Sequence, residues 1–153
     1  MRRRPLLAAA VGLAAGTGGC LDGLPGAGTE TFTVSDPPSS LRERGACDED
    51  WVLASVSFAG PLDDVDDEAA VVPYRELADP SKLLVRYYLD RGSAVACEGD
   101  DPTPFQSLLS DLGAAKQRYR EAHDEPPEYL CVRVADEYHR LSRLLVYDQV
   151  LRG

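Results

Sequence analysis

Cysteine is the residue type whose spacing carries the most chemistry in this chain. Three of the four cysteines, Cys47, Cys97 and Cys131, lie well beyond the N-terminal segment. In an oxidising compartment they allow three single pairings, each leaving one thiol over. We favour Cys47 with Cys97, because both stand in polar segments beside a predicted strand, whereas Cys131 lies within a predicted hairpin strand. This bridge would close a loop of about 50 residues and contribute about 4 kcal/mol in the chain-entropy model. The alternative is three reduced cysteines.

The sequence contains no pattern that predicts a catalytic set or a bound cofactor. His123 and His139 are its two histidines, and they occur without an HExxH motif or a clustered set of further ligands, which argues against zinc. A blue-copper site is also excluded, since the single methionine is Met1 and no cysteine–histidine cluster is present. CxxC, GxSxG, P-loop and dinucleotide-binding motifs are also missing. We therefore expect no metal, no cofactor and no recognisable catalytic residue.

An acidic run at residues 63–68 is the strongest candidate for cation binding. Its carboxylates could hold a hard cation, but the run lacks the ligand spacing and the turn glycine of an EF-hand. A solvated loop is the favoured interpretation, and a cation-binding surface module is the alternative. A second acidic run at residues 48–50 gives the same signal more weakly.

The charge balance limits the classes of partner. Residues 20–153 carry thirteen basic and twenty-six acidic side chains, a net charge of −13, and only Lys82 and Lys116 are lysines. Nucleic acid is excluded as a partner, because the basic surface that a phosphate backbone requires is missing. Attraction to anionic lipid headgroups is disfavoured for the same reason. We expect adaptation to high salt, which screens such self-repulsion, with an ordinary acidic secreted protein as the alternative.

The first twenty residues have the pattern of an export signal. Three arginines at positions 2–4 precede a mildly apolar run of roughly a dozen residues, shorter than the about 20 needed to span a bilayer. Arg3 and Arg4 before Pro5-Leu6-Leu7 are similar to the twin-arginine signature. The run ends at Thr17-Gly18-Gly19-Cys20, which resembles a lipobox. A secretory signal in which Cys20 is incidental is the alternative.

Together with the acidic chain that follows, this N-terminus resembles that of haloarchaeal twin-arginine-exported lipoproteins. The resemblance covers about the first 28 residues and concerns routing, not activity. It implies that Cys20 carries two long lipid chains, which anchor a protein stably. It also implies a location at the cell membrane, facing the cell exterior.

The domain organisation follows from this segment. Residues 1–19 are the predicted signal peptide, residues 20–31 the lipidated cysteine and a glycine-rich flexible tether, and residues 32–153 a single domain. The stretch from Val72 to Gly92 and the later tyrosine-rich hairpin resemble small uncharacterised domains found in haloarchaeal exported proteins, a resemblance that implies no active residues.

Hydrophobic periodicity predicts an α+β fold for this domain: a small antiparallel sheet with two helices on one face and a C-terminal β-hairpin. Residues 51–59 alternate as a strand that Gly60-Pro61 should end. Asp79-Pro80 offers an N-cap and first turn for a helix that stops at Arg91-Gly92, before a short strand at residues 93–97. A second helix starts at Thr103-Pro104 and stops before Pro126-Pro127. The hairpin strands cover residues 128–134 and 138–147, with a turn near residues 136–137.

The expected function is a membrane-tethered, non-catalytic binding or accessory domain whose protein or small-molecule partner is not specified by the sequence. The alternatives are an enzyme with an unrecognised carboxylate-based site, or the cation-binding module at residues 63–68. Tyr138 and Tyr147 could form a binding patch, although hairpin aromatics more often pack on the core.

Overall fold

The computed structural model describes residues 32–153. The predicted signal and lipidation residues Arg3, Arg4 and Cys20 lie outside the described residues. The described part has the expected α+β class. Its helices are α1 (Asp79–Arg91) and α2 (Thr103–His123), and its strands are β1 (Val52–Leu62), β2 (Ala69–Pro73), β3 (Ala94–Cys97), β4 (Tyr129–Val134), β5 (Glu137–Val146) and β6 (Gln149–Leu151).

The strands form one sheet in the order β2-β4-β5-β1-β3, and β6 pairs with the last residues of β5. Every strand pair is antiparallel except β2–β4, which is parallel, so the sheet is mixed rather than purely antiparallel. The parallel pair arises at β2, a five-residue strand that the sequence analysis did not identify. The chain between β2 and β4 includes both helices, and a long crossover of this kind is what a parallel pair requires.

The predicted hairpin is confirmed in β4 and β5. Val134 pairs with Glu137 next to the turn, and Val132 pairs with His139 further along. Ala135 takes a left-handed φ of 52° in the connection. A second turn at Tyr147, with φ of 56°, leads into β6, which the sequence analysis did not predict.

Both helices contribute to one main core with one face of the sheet. Buried members include Val56, Val72, Leu84, Phe105, Leu108, Leu112, Leu130, Val132, Leu141 and Leu144. Because side chains alternate across a strand, Tyr129 and Cys131 lie on the opposite face from Leu130 and Val132. There they form a second, smaller cluster with Ala69, flanked by Val65 of the acidic loop.

Strand β1 continues beyond the end predicted for it. Gly60-Pro61 does not terminate the strand, which runs to Leu62 through a register shift between Ala59 and Leu62. Gly60 has φ of +119°, and an added Cβ would lie 2.9 Å from the backbone oxygen of Tyr138. Only glycine fits this close approach, so the residue bends the strand and permits it to continue.

Helix α1 is capped differently from the sequence expectation. Its N-cap is Ala78 rather than Asp79, and no side chain of its own caps it. The cap comes from α2, where Asp111 Oδ2 accepts hydrogen bonds from the Ala78 N–H at 2.9 Å and from the Ser81 hydroxyl at 2.6 Å. The helix ends as predicted, at Gly92, whose φ of 77° is the left-handed geometry that favours glycine.

Helix α2 begins at Thr103 as predicted. Asp101 Oδ1 accepts hydrogen bonds from both the backbone and the hydroxyl of Thr103. The helix ends at His123 with Asp124 in the left-handed region, before Pro126-Pro127. Neither helix in residues 32–153 is both long and apolar enough to cross a membrane.

Candidate functional site

A cavity of about 570 Å³ lies at the carboxyl ends of the two parallel strands. Pro73 of β2 and Arg133 of β4 are the last register pair of these strands, and both line the cavity. Tyr74 and Arg75 come from the 3-10 turn Tyr74–Glu76 that follows β2. The volume is in the range of pockets that enclose a small organic ligand, roughly 300–1,000 Å³.

Three arginines from separate elements line this cavity: Arg75 in the turn after β2, Arg86 in α1 and Arg133 in β4. Arg86 is exposed between the buried residues Val85 and Tyr87, so the helix directs it away from the main core. Arg133 alternates with the buried Val132 and Val134 and therefore projects from the other face of β4. We call Arg75, Arg86 and Arg133 the arginine cluster.

The three members of the arginine cluster make little contact with carboxylates of the described chain. Arg42 pairs with Asp100 at 2.7 Å, and this pair holds the pKa of Asp100 below its usual value. Arg75 reaches Glu76 only at 4.0 Å. Within residues 32–153, Arg86 and Arg133 form no ion pair. Two guanidinium groups at the cavity therefore have no carboxylate of the described chain in direct contact.

Two aromatic side chains line the same cavity. The ring centroids of Phe32 and Tyr74 are 5.4 Å apart with an interplanar angle of 43°. Both rings pack against the main core, and the Tyr74 hydroxyl lies 3.5 Å from the backbone oxygen of Lys82, to which it donates. The cavity thus joins a positively charged side to an apolar aromatic side.

This lining suits binding better than acid–base or nucleophilic chemistry. Arginine stays protonated in proteins and offers a planar fork of donors that matches a carboxylate or a phosphate. The remaining lining residues are the two aromatics, Pro73 and Ala135. The described lining therefore contains no serine, cysteine, histidine or carboxylate to act as nucleophile or general base.

The structure contains the Cys47–Cys97 disulfide, which is the pairing preferred from the sequence. Cys131 is the free cysteine of the described chain and is fully buried in the second cluster. Burial raises the pKa of its thiol to about 11, so it is protonated and chemically inert at neutral pH. Neither feature contributes to the cavity.

The acidic loop at residues 63–68 is held by hydrogen bonds. Asp66 Oδ1 accepts from the Glu68 N–H and, at 2.8 Å, from the Tyr129 hydroxyl, while Asp67 accepts the Tyr119 hydroxyl through its backbone oxygen. A hydrogen bond with Glu128 raises the pKa of Glu68. Within residues 32–153 no group of three or more His, Cys, Asp or Glu side chains is arranged to hold a metal.

The two histidines occupy different environments. His123 is the last residue of α2, where it stacks on Tyr119 with ring centroids 4.0 Å apart. His139 is buried in β5, and this burial lowers the pKa of its imidazole despite the opposing effect of Glu137. Of the two tyrosines considered as a binding patch, Tyr147 is 51% exposed and Tyr138 is half-buried.

No pattern in the sequence predicts the arginine cluster. Its members are separated by 11 and 47 positions, and no motif connects them. The only available signal was the use of arginine for nearly all positive charge, which indicates a residue type but not a location. The cluster depends on the parallel pairing of β2 with β4, which a local pattern does not encode.

The chain was compared with known proteins at three levels. No protein-family model, curated protein or solved structure matches it. The function is therefore inferred from the residues of the cavity and from the sequence signals alone.

Proposed function

We propose that this chain is an extracytoplasmic domain, held at the cell membrane by lipid on Cys20, that binds a small ligand in the cavity without transforming it. The observation that carries the binding function is the pair Arg86 and Arg133, which line the cavity without an ion-pair partner in the described chain. Other described arginines, such as Arg118 and Arg120, also lack an ion pair, but they do not line the cavity. An unpaired pair at a concave site is most simply explained by a ligand that completes it.

The anchor rests on the N-terminal signals. Arg3-Arg4 and the Gly18-Gly19-Cys20 sequence support export and lipidation, as argued above. The acidic chain supports a lipid rather than charge attraction as the means of membrane attachment. The domain then works at the membrane surface, where a tethered binding site samples ligands outside the cell.

The enzyme alternative requires carboxylates with raised pKa in one cleft. Glu68 and Glu128 are the nearest match, since their hydrogen bond raises the pKa of Glu68. Both are exposed, and neither lines the cavity. This favours binding over catalysis as the function of the described domain.

One crossed experiment tests the anchor and the binding site separately. It compares the full chain with Cys20→Ser and with the double variant Arg86→Met/Arg133→Met, using membrane fractionation and melting temperature. The low-molecular-weight fraction of the producing organism's own medium is the added probe. We expect Cys20→Ser to leave the membrane yet keep the rise in melting temperature, and the double variant to stay in the membrane yet lose the rise.

Arg118→Met/Arg120→Met is the matched control, because both arginines are exposed on α2 and lie outside the cavity. It should behave as the unmodified chain in both measurements. Retention of Cys20→Ser in membranes would contradict the anchor. A melting temperature that rises in none of the four proteins, or equally in all of them, would contradict ligand binding at the cavity.

A further inference from the structure

We propose that the ligand is a small organic anion carrying two negative charges, as a phosphate or as paired carboxylates, on a planar apolar body. This inference rests on the proposed binding function and specifies its ligand class. It follows from three properties of the cavity, namely its charge, its aromatic lining and its size.

The charge of the cavity sets the charge of the ligand. Arg86 and Arg133 are unpaired in the described chain, while Arg75 has a long contact of 4.0 Å with Glu76. Two guanidinium groups without a contacting carboxylate can be neutralised by a dianion, and the third donor group can add a hydrogen bond. Phosphate and carboxylate oxygens match the arginine fork in pairs, which makes these contacts shorter and stronger than neutral hydrogen bonds.

The negative charge of the rest of the chain restricts anion binding to the arginine cluster. The chain beyond residue 19 has a net charge of −13, so its long-range field repels anions in dilute salt. An anion is therefore not collected by a general basic surface. It gains stability only where it reaches the arginine cluster at hydrogen-bonding distance.

The aromatic side determines the rest of the ligand. Phe32 and Tyr74 offer ring surface on the same cavity, with centroids 5.4 Å apart and planes inclined by 43°. A planar apolar group buries its surface there and gains the stacking and edge contacts that aromatic rings favour. An inorganic ion alone would gain nothing from this apolar lining.

The size of the cavity agrees with this combination. A volume of about 570 Å³ greatly exceeds that of a single phosphate or sulfate ion and is within the range of clefts that bind one small organic molecule. A polymer such as nucleic acid would extend from the cavity over the acidic surface, where its phosphates are repelled. The occupant that satisfies charge, apolar area and volume together is a small aromatic or similarly planar dianion.

A panel of defined probes tests this inference by calorimetric titration of the full chain in detergent at pH 7.5. Phenyl phosphate and phthalate carry two charges on a ring, benzoate carries one, benzyl alcohol none, benzylamine a positive charge, and inorganic phosphate has no ring. We expect the two aromatic dianions to bind at least about tenfold more tightly than benzoate or inorganic phosphate. We expect no measurable binding of benzyl alcohol or benzylamine. The ratio between phenyl phosphate and phthalate then identifies phosphate or carboxylate as the preferred group.

Variants locate the two halves of the interaction. Arg86→Met and Arg133→Met should each weaken the aromatic dianions by about tenfold or more, whereas Arg118→Met should not. Arg133→Lys keeps the charge but loses the fork, so it should retain part of the affinity. Phe32→Ala should weaken phenyl phosphate but leave inorganic phosphate unchanged, a pattern that misfolding would not produce.

The results also separate this inference from the proposed function. Benzyl alcohol or benzylamine could bind more tightly than the aromatic dianions and lose this binding in Phe32→Ala. That result would overturn the ligand class while leaving a binding cavity in place. Failure of every probe to bind would overturn the ligand class even where the medium fraction still raises the melting temperature. Equal binding of the aromatic dianions by the unmodified chain and by Arg86→Met/Arg133→Met would overturn both.

Discussion

At the scale of single residues, titratable side chains that often signal catalysis are accounted for here by the fold. Cys131 is packed into the second cluster, and its thiol is held protonated by burial. His139 pairs across the hairpin with Val132 and is 8% exposed. Its lowered pKa is a consequence of packing rather than of a site. Arg86 and Arg133 line the cavity without an ion-pair partner in residues 32–153, and this position is why they carry the functional proposal.

Burial of His139 makes a testable contribution to the pH dependence of stability. Since burial lowers the pKa of the folded imidazole, the unfolded chain takes up its proton first as the pH falls through about 6.5. The contribution of the buried neutral imidazole to the free energy of unfolding is therefore fully present above this pH and is lost as the pH falls below it. Urea unfolding of the unmodified chain should show a larger loss of unfolding free energy between pH 7.5 and pH 5.5 than unfolding of His139→Phe.

His123→Gln is the matched control for this measurement, because His123 is exposed at the end of α2. It should keep the pH dependence of the unmodified chain. If His139→Phe keeps that dependence in full, the buried imidazole does not account for it.

At the scale of elements, the contact between the two helices shows a feature that local sequence patterns cannot predict. Asp79-Pro80 correctly indicated where α1 begins, but the hydrogen bonds that cap it come from Asp111, 32 positions after Asp79. The Ser81 hydroxyl is fully buried, donates to Asp111 and lies 2.8 Å from the Ser107 hydroxyl. A cap supplied by another helix is a tertiary contact, so a start signal in the sequence cannot reveal it.

Removal of this cap should destabilise the fold. Asp111→Ala removes the acceptor of the Ala78 N–H and leaves the buried Ser81 hydroxyl with the Ser107 hydroxyl as its remaining partner, and we expect a loss of about 2 kcal/mol in unfolding free energy. Asp111→Asn retains an acceptor oxygen and should lose about 1 kcal/mol. Thermal or urea unfolding would measure both. Ser110→Ala, an exposed neighbour on α2, should change little, and an equal loss in Ser110→Ala and Asp111→Ala would contradict the capping role.

Dependence on contacts between residues distant in sequence also explains which parts of the fold could not be predicted. Strands β1, β3, β4 and β5 and both helices have strong periodic or terminal signals, and the structure contains them all. Strand β2 is only AAVVP, and each of its residues pairs in parallel with a β4 residue 60 positions away. The cavity is formed at that pairing, and so the site remained unidentified although most elements were correctly predicted.

At the scale of the whole molecule, the charge distribution is uneven in a way that composition cannot show. The chain is strongly acidic, and the loop at residues 63–68 packs through Val65 against the cluster of Tyr129 and Cys131 and also contacts Tyr119 of α2. The arginine cluster gathers positive charge at the carboxyl ends of β2 and β4. In the proposed arrangement a lipid holds the domain at the membrane, and the basic cavity provides its contact with small anions.

The most direct test of this account is to observe where an anionic ligand binds. Amide chemical shifts of the full chain in detergent would be followed during addition of phenyl phosphate. We expect the largest changes at the cavity, in residues 74–75 and 133–135 and around Arg86, and their loss in Arg86→Met/Arg133→Met. Changes concentrated at the acidic loop, or scattered over the surface and unaffected by the double variant, would contradict the assignment of this cavity as the ligand site.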